Sequence, residues 1–142
     1  MKKIAVVYWS GTGNTEAMAK AIAEGVKAAD AEVSLFTASE FSAGSVPNYD
    51  KIAFGCPSMG AEQLEETEFE PMFVSAEGAL SGKELALFGS YGWGDGSWMR
   101  EWQARCEGLG AYLYGGEGLI INETPDEDGL RKCREFGKGF AA

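Results

Sequence analysis

The sequence predicts an α/β protein built on a doubly wound five-stranded parallel sheet, and three observations carry that expectation. Continuous apolar runs, as in strands covered on both faces, alternate along the chain with helical periodicities. Three of the runs lead into loops that contain glycine and polar residues. The 142 residues show no repeat, low-complexity tract or linker, so residues 1–142 are expected to form a single domain.

The unbroken run IAVVY at 4–8 reads as the central strand. After a glycine turn, Ala17, Met18, Ala21, Ile22, Gly25, Val26 and Ala29 recur at helical spacing, and their small size lets the helix lie close to the sheet. Val33 and Leu35 alternate with Glu32 and Ser34, a half-buried strand expected at an edge. Residues 51–56 form the third strand, stopped by Pro57. Phe69, Met72, Phe73, Ala76 and Leu80 mark a helix in which Pro71 is tolerable only in the first turn. Residues 85–88 form the fourth strand, and GSYGWGDG follows at 89–96. Trp98, Met99, Trp102 and Cys106 then mark a helix, with both tryptophans read as core. Residues 111–121 contain a fifth strand interrupted by Gly115, Gly116 and Gly118. The last helix follows Pro125 with Leu130, Cys133, Phe136 and Phe140 inward. Its acids Asp126, Glu127 and Asp128 precede its bases, as the helix dipole favours. Right-handed crossovers make this alternation a parallel sheet whose ligand site lies beyond the strands' carboxyl ends.

Acidic residues outnumber basic ones 22 to 12, giving a formal charge of −10, and there is no histidine. Such a surface repels nucleic acid and anionic lipid and favours basic protein partners. Without histidine the commonest general base and metal ligand is missing, and no catalytic or metal centre is expected. Cys56, Cys106 and Cys133 match no metal or redox spacing and read as reduced thiols of a cytoplasmic protein. Cys56, followed by Pro57, reads as a buried structural thiol. No segment is long and apolar enough to span a membrane.

Ser10, Gly11, Thr12, Gly13, Asn14 and Thr15 place four side-chain donors and two glycines between a buried strand and a helix, more than one helix cap requires. A triphosphate loop needs a lysine, and none stands between Lys3 and Lys20. A dinucleotide fingerprint needs a third glycine where Glu16 stands. What remains is a nest of amides at a helix N-terminus, suited to a single terminal phosphate.

The segments YWSGTGNTEAMA, GCPSMGAEQLEE, EFEP, LFGSYGWGDGSWM and INETPDE occur in order across residues 8–128. With them the chain resembles the short-chain flavodoxins, small bacterial carriers that bind FMN non-covalently. The resemblance implies the flavodoxin-like fold with strand order 2-1-3-4-5. It also implies a low-potential carrier that moves electrons one at a time between redox enzymes and has no substrate of its own. It implies a monomer whose partners are redox proteins with basic surface patches.

The same resemblance assigns the FMN phosphate to residues 10–15 and the ring to two loops: Pro57, Ser58, Met59, Gly60, Ala61 and Glu62, and Ser90, Tyr91, Gly92, Trp93, Gly94 and Asp95. Trp93 covers the outer ring face, where a stacked indole adds about 0.5–1.5 kcal/mol beyond area burial, and Met59 lies on the inner face. The Met59–Gly60 peptide is expected to turn its carbonyl toward the flavin N5 and stabilise the neutral semiquinone, because glycine reaches positive φ at little cost. Ala61 stands where relatives commonly carry a polar residue. Glu62 reaches N3, and Asn122 and Glu123 lie near the ring's polar side. Glu62, Glu65, Glu66, Glu68 and Glu70 oppose a second electron by repulsion. A flavin or quinone reductase on this fold would need a second pocket beside the ring. A receiver-like domain would need an acidic pair where Tyr8, Trp9 and Ser10 stand.

Overall fold

The computed structural model describes residues 1–142. Five parallel strands lie in the order β2-β1-β3-β4-β5, where β1 is Lys3–Tyr8, β2 Glu32–Thr37, β3 Lys51–Gly55, β4 Glu84–Tyr91 and β5 Tyr112–Leu113. A sixth piece, β6 (Leu119–Asn122), also pairs with β4. The expected interruption is thus a break in one strand position. Glu84 and Leu85 of β4 pair with β5, Phe88 to Tyr91 pair with β6, and Gly115 turns the chain between them at φ 73°. The helices are α1 (Asn14–Ala28), α2 (Phe69–Ala76), α3 (Ser97–Gly108) and α4 (Glu127–Ala141). Pro71 is the third residue of α2, inside the first turn where its missing N–H has no partner to lose.

Strand alternation sorts side chains between two cores. Ile4, Val6, Ala53, Ala86 and Phe88 face α1 and α4, while Val7, Ile52, Phe54, Leu85 and Leu87 face α2 and α3. The alanines of β3 and β4 on the first face leave room for helices to approach. There α1 and α4 cross at backbone distance: a Cβ on Gly25 would lie 1.9 Å from the Arg134 carbonyl oxygen. Trp98 and Trp102 are buried in the second core, as expected. At edge strand β2 the expected alternation holds only in part. Val33 packs toward α1 and α4, but Leu35 is 38% exposed and Phe36 joins the opposite core. No helix is long and apolar enough to cross a membrane.

Candidate functional site

Parallel pairing aligns the carboxyl ends of β1, β3, β4 and β6, and backbone bonds beyond the strands stitch their loops together. Trp9 N donates to Gly55 O at 3.0 Å, Ser58 N to Ser90 O at 3.0 Å, and Glu123 N to Tyr91 O at 2.7 Å. Between the loops lies a cleft of about 280 Å³. Of the expected residues it is lined by Ser10, Gly11, Thr12, Asn14, Thr15, Pro57, Ser58, Met59, Ser90, Tyr91, Gly92 and Glu123. Trp9 lines it too. Gly13 faces the far side of the turn, and Gly60, Ala61, Glu62, Trp93, Gly94, Asp95 and Asn122 lie outside the lining.

Ser10 Oγ accepts from Gly13 N at 3.1 Å and Glu16 N at 3.2 Å, which curls the turn around its own first hydroxyl. The amides of Gly11, Thr12, Asn14 and Thr15 meet no protein acceptor, so four donors at the start of α1 are left for a ligand. The buried Thr15 hydroxyl shares a 2.8 Å hydrogen bond with Ser90 Oγ. With Ser90 donating, the Thr15 proton stays available to an anion. A larger cavity of about 420 Å³ lies across the turn, but Glu16 and Glu68 line it and would repel a phosphate. The smaller cleft carries one carboxylate, Glu123, against the larger cavity's two.

The loop after β3 bears on the expected turning peptide. Met59 N donates to Gln63 O at 2.8 Å and Gln63 N to Met59 O at 2.9 Å, so the Met59 carbonyl already has a donor. The carbonyls at the tip that meet no donor are those of Gly60, Ala61 and Glu62, so the first free carbonyl lies one residue past Met59. Gly60 sits at φ +52°, with nothing within 4 Å of where a Cβ would be. The methyl side chain of Ala61 offers no hydrogen bond that would fix either orientation.

Glu62 reaches across to α3, where Oε2 accepts from Ser97 N at 2.8 Å and Ser97 Oγ at 2.7 Å. Gly96, at the cap position, has no side chain to satisfy the first amides of α3, and Glu62 does so from another loop. Those Ser97 bonds outweigh partial burial and hold the Glu62 carboxyl below its ordinary range. It runs close past Gly94, where a Cβ would lie 2.2 Å from Glu62 Oε1. Trp93 is 65% exposed, and Asp95 pairs with Arg100 at 3.0 Å.

The other glutamates have distinct fixed partners. Glu65 is buried and caps α2, accepting from the amides of Thr67, Glu68 and Phe69 and from the Thr67 hydroxyl. Burial pushes its carboxyl up, but these bonds prevail and hold it at about 2. Glu66 accepts from Gln63, and Glu68 accepts from Trp9 Nε1 at 3.1 Å. Only Glu70 among them meets a cation, in a two-bond pairing with Arg105 at 2.6 and 2.9 Å. Neutral donors leave the other charges in place, so the loop stays strongly negative. Cys56 is fully buried and its thiol is pushed far up by that burial, which removes it as a nucleophile. Burial also raises Cys106 and Cys133 to about 12.

A family model described as flavodoxin matches residues 6–137. The chain is 46% identical to the flavodoxin of Megasphaera elsdenii, covering 97% of this chain and 98% of that one. It is likewise 46% identical to the flavodoxin of Clostridium beijerinckii, with 96% and 97% covered. The solution structure of two-electron reduced M. elsdenii flavodoxin superposes with a TM-score of 0.89 over 97% of this chain and 98% of that chain.

Proposed function

The chain belongs to the flavodoxin family, low-potential electron carriers with bound FMN and no substrate of their own, and from that premise we propose how its residues serve the cofactor. The carrying observation is the set of four amides without acceptors at Gly11, Thr12, Asn14 and Thr15, beside a cleft long enough to continue from Trp9 to Met59 and Tyr91. These residues fit FMN: backbone N–H groups and the hydroxyls of Ser10, Thr12 and Thr15 match a terminal phosphate, which needs no lysine there. When bound, FMN supplies two successive one-electron steps.

Pro57, Ser58 and Met59 flank the ring on one side, and Ser90, Tyr91, Gly92 and Trp93 on the other, with Asn122 and Glu123 at its polar end. Gly94 and Asp95 complete the wall. The exposed Trp93 indole has faces free to cover a ring. Glu62 Oε1, the oxygen not used by Ser97, accepts the ring's N3–H. The Gly60 carbonyl is the acceptor for a proton held at N5, and Ala61 leaves its turn unrestrained. Charges on Glu62, Glu65, Glu66 and Glu68 oppose addition of a second electron.

The loops at 56–68, 92–96 and 123–126 hold seven carboxylates (Glu62, Glu65, Glu66, Glu68, Asp95, Glu123, Asp126) and no lysine or arginine. Such an edge suits redox partners with basic patches, giving fast association that weakens with salt. Residues 1–142 act as one domain and as a monomer, and three reduced, buried thiols suit the cytoplasm.

The test is to add FMN to the purified apoprotein and follow the visible spectrum during stepwise anaerobic reduction. Stoichiometric uptake, with riboflavin bound at least about tenfold more weakly, is expected from the loss of charge-assisted hydrogen bonds to phosphate. Equal affinity for FMN and riboflavin would remove the phosphate assignment. Rapid turnover of NADPH with free quinone would replace the carrier by an enzyme.

A further inference from the structure

We propose that Trp98 is a positioning residue for the loop at 57–63, acting through its indole N–H on the carbonyl of Cys56. In a parallel ladder where Cys56 N donates to Phe88 O, as it does here at 3.1 Å, the Cys56 carbonyl would take the amide of Ser90. That amide is turned instead to Thr15 Oγ1 at 3.4 Å. The missing donor is Trp98 Nε1, 3.1 Å from Cys56 O within the core.

The contact is built into the fold from both sides. Gly89 passes so close that a Cβ there would stand 2.2 Å from the Cys56 oxygen. The buried Cys56 thiol, which electron transfer does not use, accepts from Glu65 N at 3.4 Å. The chain leaves Cys56 for the loop and comes back at Glu65, so both feet of the loop are held at one residue. Trp98 and Ser97 share the first turn of α3, and Ser97 holds Glu62 near the loop's far end. The Met59–Gln63 pair closes the tip on itself. What remains free to move is the tip at Gly60 and Ala61, whose carbonyls meet no donor. Trp98 therefore confines motion to the place where a proton acceptor is wanted. Its effect on FMN rests on the proposed placement of the ring against this loop.

Trp98→Phe keeps a buried aromatic ring and removes only the donor and part of the indole's volume. Trp102→Phe is the matched control, since Trp102 lies one turn on in α3, is equally buried, and its Nε1 has no hydrogen-bond partner. Amide hydrogen exchange at Met59 and Gln63 in the apoprotein is expected to accelerate about tenfold in Trp98→Phe, the typical worth of one hydrogen bond, and to stay at the wild-type rate in Trp102→Phe. FMN dissociation and the separation between the two one-electron potentials are expected to change in the first variant only. Equal exchange in both variants overturns the proposal. Faster exchange with unchanged FMN affinity and potentials upholds the positioning of the loop and overturns the placement of the ring against it. Should Trp98→Phe not fold, the wild-type protein supplies the test. A through-hydrogen-bond NMR coupling between Trp98 Nε1 and the Cys56 carbonyl carbon is expected, and its absence overturns the proposal.

Discussion

Replacing Glu65 by glutamine tests the buried carboxylate at the end of the loop after β3. Oε1 accepts from Glu68 N at 2.8 Å and Phe69 N at 2.9 Å, and Oε2 from Thr67 N at 2.8 Å and the Thr67 hydroxyl. Glutamine can fill only one of those two oxygen positions, and its amide nitrogen then points at donors. A carboxyl held at about 2 rather than 4.5 is linked to roughly 3 kcal/mol of stability at neutral pH. Water near the surface screens part of that field, and about 2 kcal/mol is expected. For a domain of this size that lowers Tm by about 8 °C. The carboxyl is depressed in the folded state, so its contribution is complete above pH 4.5 and is lost as pH falls toward 2. By pH 3 roughly half or more of the difference between wild type and variant should be gone. The assay is thermal unfolding of the two apoproteins by circular dichroism between pH 7 and pH 3, without FMN because bound ligand adds its own stabilisation. A Tm difference under about 2 °C at pH 7, or one that does not shrink with acid, would refute the reasoning.

Trp93→Ala is expected to raise the FMN dissociation constant by about tenfold and make the second one-electron potential less negative, because stacking favours the oxidised ring; titration and potentiometry check both. Gly25→Ala would force a Cβ to 1.9 Å from the Arg134 carbonyl, so α1 and α4 must separate, at a cost of about 3 kcal/mol in urea unfolding. Wild-type stability there would mean that the two helices do not meet at backbone distance. Gly60→Ala has open space for its methyl group and bears only the positive φ, so it should lose about 1 kcal/mol in the same assay. Electron transfer to a basic partner should slow by about tenfold or more between 50 and 500 mM salt, and a salt-independent rate would exclude the acidic edge as the docking face.

Much of the fold was legible because it rests on local rules. The run at 4–8 became the buried β1, the stripe from Ala17 to Val26 became α1, and Pro71 fell inside the first turn of α2. Leu35 misled because alternation shows which residues share a face of a strand but not how much of that face an edge leaves open. The donor-rich turn after β1 was legible for a related reason: six consecutive residues hold both the donors and the glycines that bend them. Trp98 was read only as core, since its burial has a helical period but its indole N–H leaves no mark on the sequence.

The chain's own order therefore determined the strand and helix alternation, the donor-rich turn at 10–15 and the acidic character of the loops, all properties of neighbours along the backbone. Tertiary structure alone decided which polar group meets which. Glu62 turns to Ser97 across 35 positions, Trp98 to Cys56 across 42, and Thr15 to Ser90 across 75. A hydrogen bond needs its atoms about 3 Å apart at a set angle, and only the assembled sheet brings such distant residues within that reach. Within the loop after β3, Gln63 takes the Met59 carbonyl and the Gly60 carbonyl is left free.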